Sequence, residues 1–392
     1  MSPHSTDEPF LRRALELARL GIGLASPNPH VGAVIVDAEG SIAGSGTYTY
    51  AGVKHAEILA LEAAGRKARG GTLYINLEPH AHQGRTPPCT DALVAAGIHR
   101  VVASMPDPNP EVSGLGFEKL RAAGVHVEVG QLEEQARRLN ESFARYIRHG
   151  VPMVTLKSAM TLDAKIAPPR GEARADETEA EEGFTGAWIT GAAARAHVQE
   201  LRHQHDAILV GIGTVLADNP FLTDRSGRPR RRPLLRVIVD SQLRLPLEAR
   251  LIRGVKPGST DADESDVLVF TSSADNDKKA ELESRGARVE KLPTAPDGRP
   301  DLASVLHRLG ELEITSLMIE GGSTLNEAAL AAGIVDKIFL YYAPKILGAD
   351  AVPFAAGASL SNRKAGHVNH MQLHRFGEDF AVEGYLRDPY SG

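Results

Sequence analysis

A histidine and a glutamate stand two residues apart in His55-Ala56-Glu57, and two strings follow them, Leu77-Glu78-Pro79-His80 and Pro87-Pro88-Cys89. These are the residue types of zinc-assisted hydrolytic deamination. H-x-E followed by P-C-x-x-C is the signature of zinc nucleobase deaminases. Zinc with three protein ligands keeps a fourth position for water and lowers that water's pKa from about 15.7 to about 7. A glutamate outside the metal shell then moves protons to the ring nitrogen and the leaving amine. His55, His80 and Cys89 are the candidate ligands, and Glu57 is the candidate proton carrier. The chain has one cysteine, and position 80 is a histidine where the signature has its first cysteine. Imidazole is a sound substitute, at a Zn–N distance of about 2.0–2.1 Å against about 2.3 Å for Zn–S. His82 is the alternative ligand for that position. A lone H-x-E usually lies on a surface, and a lone cysteine is usually a small buried hydrophobe. The combination of three strings carries the metal reading.

A second chemistry sits near the C-terminus. Thr315 to Ile319 reads as a strand ending in Glu320. Gly321-Gly322-Ser323-Thr324 follows, then a helix over Leu325 to Ala332. Free N–H groups and the positive end of a helix favour an anion, and two glycines let a pyrophosphate approach the backbone. G-x-G-x-x-G is absent, so this is not a standard dinucleotide fingerprint, and a Gly-Gly alone is mostly a plain turn. Residues 225–236 hold six arginines, which read as a surface loop with an anion-binding role for one or two of them.

The elements that must hold these groups alternate. Thr6 or Asp7 caps a helix that Gly21 stops. Strands are predicted at Val31 to Val36 and Ser41 to Thr47, a helix at His55 to Arg66, and a strand at Thr72 to Leu77. Thr90 caps a helix over Asp91 to Ala96, closed by Gly97. Strand 99–104, helix 114–123, strand 125–129 and one helix from Glu133 to about Arg148 complete the first half. Gly150-Val151-Pro152 is the predicted boundary, giving domains 1–149 and 150–392. Beyond it come a strand from Met153 to Ala159, a helix at 190–203 and a strand from Ala207 to Val210. Further strands are predicted at 235–239, 266–271, 315–319 and 336–342. Alternating helices and apolar strands predict two α/β domains. Residues 170–182 hold six acids and read as a solvated insertion without chemistry.

Composition closes other routes. One cysteine excludes an internal disulfide, an all-cysteine zinc site and an iron–sulfur cluster held by this chain alone. A net charge of −6 speaks against non-specific nucleic-acid binding. No run of 18 apolar residues spans a membrane, and the polar start Ser2 to Phe10 has no apolar signal core, so the cytoplasm is the expected compartment.

Longer strings carry a resemblance. Ser26-Pro27-Asn28-Pro29-His30-Val31-Gly32, His55-Ala56-Glu57 and Gly84-Arg85-Thr86-Pro87-Pro88-Cys89 are joined by Met160-Thr161-Leu162-Asp163-Ala164-Lys165 and Trp188-Ile189-Thr190-Gly191. Val210-Gly211-Ile212-Gly213-Thr214-Val215-Leu216-Ala217-Asp218-Asn219-Pro220 and Ile319-Glu320-Gly321-Gly322-Ser323-Thr324-Leu325 complete the set. Over nearly the whole chain the sequence resembles the bifunctional riboflavin-biosynthesis deaminase/reductase family. The resemblance implies a cytidine-deaminase-like domain followed by a dihydrofolate-reductase-like domain. It implies deamination of a phosphorylated diaminopyrimidinone, then NADPH reduction of its ribosyl group to ribityl. His55 and Cys89 match the zinc ligands, Glu57 the proton carrier, and Asn28 a base-binding position. Met160, Trp188, Thr214, Asp218, Ser241, Gly322, Ser323 and Thr324 match cofactor contacts. Gly186, Arg202 and Arg225 match substrate positions, the arginines on the substrate phosphate; Lys157 and Glu320 stand near the sugar, and either one is the group that acts there. Their plainer readings are core packing for Met160 and Trp188, a turn for Gly186 and surface charge for the arginines. Family members often associate through the reductase half.

The sequence departs from the family at four places. His80 replaces a cysteine, Tyr48 a histidine and Ala164 a glycine, and the acidic segment 170–182 is longer than usual. Two rival readings remain: a reductase with a degenerate deaminase domain, and a nucleic-acid base editor.

Overall fold

The computed structural model describes residues 4–83, 87–169, 188–253, 265–357 and 366–391. Two compact units emerge. One comprises residues up to Gly150 together with Pro229–Arg232; the other comprises Val151–Arg228 and Pro233–Ser391.

The first unit has strands β1 (Gly32–Val36), β2 (Ile42–Thr47), β3 (Thr72–Ile75), β4 (Arg100–Ala103) and β5 (His126–Val129). They form one sheet in the order β2-β1-β3-β4-β5. β1 runs antiparallel to both neighbours, and β3, β4 and β5 run parallel. All five residues of β1 are buried. Ala33 and Ile35 join the core on one face, Val34 and Val36 the core on the other. That two-sided burial is why Gly-Ala-Val-Ile-Val reads as an unbroken apolar run.

Helices α1 (His4–Arg19), α2 (Ala56–Ala64), α3 (Cys89–Ala96), α4 (Leu115–Ala122), α5 (Glu133–Leu139) and α6 (Glu141–His149) complete the unit. Alanines 56, 60 and 64 recur every fourth residue and form one buried face of α2. They lie directly on two glycines of β2. A Cβ on Gly46 would stand 2.2 Å from the Ala56 carbonyl, and one on Gly44 2.3 Å from that of Ala60. Small residues on both sides therefore set how closely the start of α2 approaches the sheet.

Three expectations about the helices need correction. α1 begins before Thr6, and Asp7 is not a cap. Its buried carboxylate accepts hydrogen bonds from Tyr74 Oη at 2.7 Å and Arg100 Nη2 at 2.7 Å. Thr90 lies inside α3, which begins at Cys89 after Pro88. The expected single helix from Glu133 is two, broken at Asn140. The Asn140 side chain is fully buried and grips both the N–H (2.8 Å) and the C=O (3.1 Å) of His30. A partner 110 residues away outweighs the local helical preference.

Among its described residues, the second unit is built on nine strands. They are β6 (Met153–Thr161), β8 (Ala207–Gly211), β9 (Leu235–Val239), β10 (Val267–Thr271), β11 (Arg288–Lys291), β12 (Ser316–Ile319), β13 (Lys337–Ala343), β15 (Asn369–Phe376) and β16 (Asp379–Tyr385). β7 (Lys165–Ala167) and β14 (Val352–Pro353) form a separate two-stranded ribbon. The large sheet runs β11-β10-β9-β8-β12-β6-β13-β16-β15. Its strands are parallel from β11 to β13, and an antiparallel hairpin closes the end. The helices are α7 (Ala192–Gln204), α8 (Ile212–Asp218), α9 (Arg250–Arg253), α10 (Asn276–Ser284), α11 (Leu302–Glu311) and α12 (Ser323–Ala331).

One core packs α7 and α8 against one face of this sheet; another packs α11 and α12 against the other. Along β8, Ile208 and Val210 enter the first core, and Ala207 and Leu209 the second. α12 starts at Ser323, two residues earlier than expected, so Gly322 is its cap residue. The chain leaves neighbouring strands β8 and β12 toward opposite faces of the sheet. Ligands of open α/β sheets bind in such a crevice, at the carboxyl ends of the strands. Among the described residues no helix is long and apolar enough to cross a membrane.

Candidate active sites

His55 is the cap residue of α2, and Glu57 lies in its first turn. Cys89 is the first residue of α3. The Thr90 N–H donates to the His80 carbonyl at 3.2 Å, which ties the His80 loop to the start of that helix. These three supports bring one ligand atom each of His55, His80 and Cys89 within 4.8 Å of one another. Cys89 Sγ lies 3.2 Å from His55 Nδ1. A tetrahedral ion with ligand bonds of about 2.0–2.3 Å needs ligand separations of roughly 3.3–3.8 Å, so the cluster is close to the right size.

The chemistry of the donors fits a cation as well. Burial, reinforced by neighbouring His55, lowers His80 to about 4. The ring is therefore neutral at pH 7, the form that offers a lone pair, and its buried Nδ1 has no hydrogen-bond partner among the described residues. Burial pushes the Cys89 thiol up, and Glu57 adds to this. A thiolate there requires a positive charge beside it. Burial also raises the Glu57 carboxyl, against a smaller opposing pull from His55. A raised carboxyl suits a group that must both take and give a proton.

Tyr48 is buried and meets His55 edge-on at 5.7 Å. Its hydroxyl oxygen accepts from Asn28 Nδ2 at 2.5 Å. Asn28 is thus linked to the cluster through Tyr48. His82 packs against His80 at 4.4 Å between ring centres but lies outside the three-ligand group.

Glu78 was not singled out in the sequence, yet it is a buried anchor. Its carboxylate accepts from the N–H groups of Asp107, Gly114 and Gly116 at 2.7–2.9 Å. A negative charge on free N–H groups at the start of α4 is favourable. It holds the strand end that carries Pro79 and His80.

In the second unit a cleft of about 1290 Å³ opens at the carboxyl ends of β8 and β12. Trp188, Thr214, Asp218, Gly322, Ser323, Thr324, Lys157, Arg202, Arg225 and Glu320 all line it. Met160 does not: it is buried, 1% exposed. Ser241 is not among the lining residues either. Gly186, the acidic segment and Gly84-Arg85-Thr86 lie outside the described residues.

At the centre of the cleft Arg202 forks onto Glu320, Nε to Oε1 at 2.9 Å and Nη2 to Oε2 at 3.0 Å. Lys157 Nζ approaches the same carboxylate at 3.6 Å. Burial alone would raise Glu320, but Arg202 and Lys157 outweigh it and hold the group at about 2. Burial lowers Lys157, and Glu320 offsets only part of that. This pairing of residues 118 apart has no signature in the sequence. Arg195 stacks on Trp188 at 4.9 Å, a contact also not foreseen.

Comparison with known proteins covers both halves of the chain. Residues 4–105 match the cytidine and deoxycytidylate deaminase zinc-binding region, and residues 152–382 match the RibD C-terminal domain. The riboflavin biosynthesis protein RibD of Aquifex aeolicus is 40% identical over 376 residues, 96% of this chain and 97% of the relative. This chain belongs to the RibD family. The RibD of Actinobacillus pleuropneumoniae is 43% identical over 88% of this chain and 85% of its own. A solved RibD from Acinetobacter baumannii superposes with a TM-score of 0.81 at 34% identity, covering 97% and 99% of the two chains. A Thermotoga maritima structure, described as a diaminohydroxyphosphoribosylaminopyrimidine deaminase/5-amino-6-(5-phosphoribosylamino)uracil reductase, gives 0.78 at 36% identity over 97% and 99%. As in other RibD proteins, a deaminase domain with a zinc-binding region precedes an NADPH-dependent reductase domain, so the chain is a bifunctional riboflavin-biosynthesis enzyme.

Proposed function

We propose that this chain performs both steps itself: deamination of a 2,5-diamino-6-(5-phosphoribosylamino)pyrimidin-4-one, then NADPH reduction of the ribosyl group to ribityl. The close grouping of His55, His80 and Cys89 is the observation that carries the first step, because it supplies three donors despite the lost cysteine. Bound there, zinc would supply an activated water at neutral pH. Glu57 would take one proton from the attacking water and give it to the ring nitrogen, then carry the second proton from the newly added hydroxyl to the departing amine, which leaves as ammonia. Tyr48 and Asn28 present a hydroxyl and an amide to the pyrimidine edge.

For the second step, the Gly321-Gly322 turn and the first turn of α12 receive the cofactor's pyrophosphate. Trp188, Thr214 and Asp218, which line the same cleft, would flank the dinucleotide. Lys157 protonates the oxygen that gains charge as hydride arrives, with Glu320 holding the ammonium in place. Arg225 meets the substrate phosphate, and Arg202 acts on the substrate side through Glu320. A cytoplasmic setting keeps Cys89 reduced. A homo-oligomer formed through the reductase domain is supported by edge strand β15, whose Met371 and Leu373 are 63% and 70% exposed.

The test is metal analysis joined to two assays on the full chain. One zinc per chain, ammonia release from the diaminopyrimidinone, and NADPH oxidation only after that release are expected. Zinc without ammonia release would leave a reductase with a structural first domain.

A further inference from the structure

We infer that Phe221 and Arg250 form the adenosine end of the cofactor site and select the 2′-phosphorylated dinucleotide. The inference rests on the reading of the second-unit cleft as the NADPH site.

Both residues line that cleft. Its volume of about 1290 Å³ exceeds the roughly 300–1,000 Å³ of a single-ligand pocket, so a dinucleotide fits beside a second ligand. Gly322 and Thr214 approach one another across the crevice: a Cβ on Gly322 would lie 3.6 Å from Thr214 Oγ1. That is where the pyrophosphate is placed. From Thr214, α8 runs four residues further to Asp218, a rise of about 6 Å. An adenosine bound along it reaches the far end of α8, where Asn219, Pro220 and Phe221 follow.

The far end is shaped for a base and an anion. Phe221 is 45% exposed, an aromatic face offered to the cleft. The Arg250 guanidinium lies 5.2 Å from the centre of that ring. Asn219 fixes the pair: its Oδ1 accepts from the Arg250 N–H at 2.9 Å, and its own backbone takes the left-handed conformation, φ +42°, that turns the chain from α8 toward Phe221. A base can stack on an exposed ring beside an arginine. A guanidinium also matches phosphate geometry.

Charge explains why Arg250 would decide selectivity. Asp218 is an acid on the same stretch of wall and repels a 2′-phosphate, while it can accept from a ribose hydroxyl. Preference for the phosphorylated cofactor therefore needs a cation at this end. Lys157 and Arg202 are engaged with Glu320 at the centre, and Arg195, which also lines the cleft, stacks on Trp188. Arg225 lies on the stretch where its N–H meets Gln199 of α7. Arg250 is the cation held beside the exposed ring.

The experiment measures direct binding of NADPH and NADH to the full chain by nucleotide fluorescence, without turnover. Arg250→Ala should weaken NADPH by roughly 10- to 100-fold and change NADH by less than about twofold, the loss of one charge-assisted contact. Phe221→Leu should weaken both alike, by roughly 5- to 50-fold. Arg225→Ala should leave the NADPH-to-NADH ratio unchanged. With the unaltered chain, adenosine 2′,5′-bisphosphate should displace NADPH at least about tenfold better than 5′-AMP, a readout that needs no variant. If the unaltered chain binds neither dinucleotide, the reading of the cleft itself fails. If it prefers NADPH and Arg250→Ala keeps that preference, or Arg225→Ala abolishes it, the cleft reading stands and the role of Arg250 is overturned. Arg250→Gln, which keeps the stem and removes the charge, replaces the alanine variant should that one not fold.

Discussion

At the scale of single residues, two positions that the sequence reading set apart from the resembled family, Ala164 and His80, acquire physical meaning. Ala164 sits at φ +58°, a conformation that glycine takes without a Cβ penalty. The turn persists because Asp163 holds it, accepting from the Thr161 hydroxyl at 2.5 Å and the Gly348 N–H at 2.8 Å. Ala164→Gly should therefore raise stability by about 0.5–1 kcal/mol, the left-handed penalty less the added freedom of the unfolded chain. A denaturant midpoint that moves the other way would show that the turn carries no such strain. His80 is the second departure. Alanine there should abolish zinc binding and ammonia release while NADPH oxidation of the deaminated intermediate continues. His80→Cys should keep the metal, and His82→Ala should keep it too. Zinc retained in His80→Ala after dialysis would instead make His82 the ligand.

At the scale of elements, long-range polar contacts decide where helices begin and end. Asp7 ties α1 to β3 through Tyr74 and to β4 through Arg100, and Arg100 also meets Glu128 of β5. The hydrogen bond from Arg100, joined by that from Tyr74, lowers the Asp7 carboxyl below its ordinary value despite burial. A carboxyl whose folded pKa lies below its unfolded one gives stability that is whole above the unfolded value. That stability is lost as pH falls through the folded value, here in the range below about 4. Asp7→Asn should cost about 3 kcal/mol near neutral pH, because Arg100 loses a partner in a largely buried pair. The difference from the unaltered chain should shrink on acidification, and melting curves between neutral and acidic pH would read it. A constant difference across that range would mean the carboxylate charge is not what holds α1.

At the scale of the whole molecule, two units with separate cores imply two separable chemistries. The candidate zinc ligands lie at the start of α2, in the loop after β3 and at the start of α3, and the second-unit cleft lies in the other unit. Chelation should stop ammonia release and lower the heat transition of the first unit, since a ligand bound only to the folded state stabilises it. NADPH oxidation of supplied intermediate should persist. Calorimetry with and without chelator would separate the two transitions; a single transition moving as one would show that the units unfold together.

Much of this was legible in the chain itself. Donor types at 55, 57, 80 and 89 name the chemistry, because few side chains bind zinc or carry protons. Apolar runs such as Ala33 to Val36 and Ala207 to Val210 name the strands, because strands covered on both faces leave no polar alternation. Tertiary structure decided the rest. It brought His80 rather than His82 into the candidate ligand group, and it buried Met160 while Lys157, Ser158 and Ala159 line the cleft. It broke the helix at Asn140, and it paired Arg202 with Glu320 across 118 residues. Local periodicity reports that a strand has two faces or that a helix has a stripe. Which face meets a cleft, and which distant residue satisfies a buried charge, depends on contacts that exist only once the sheet is assembled.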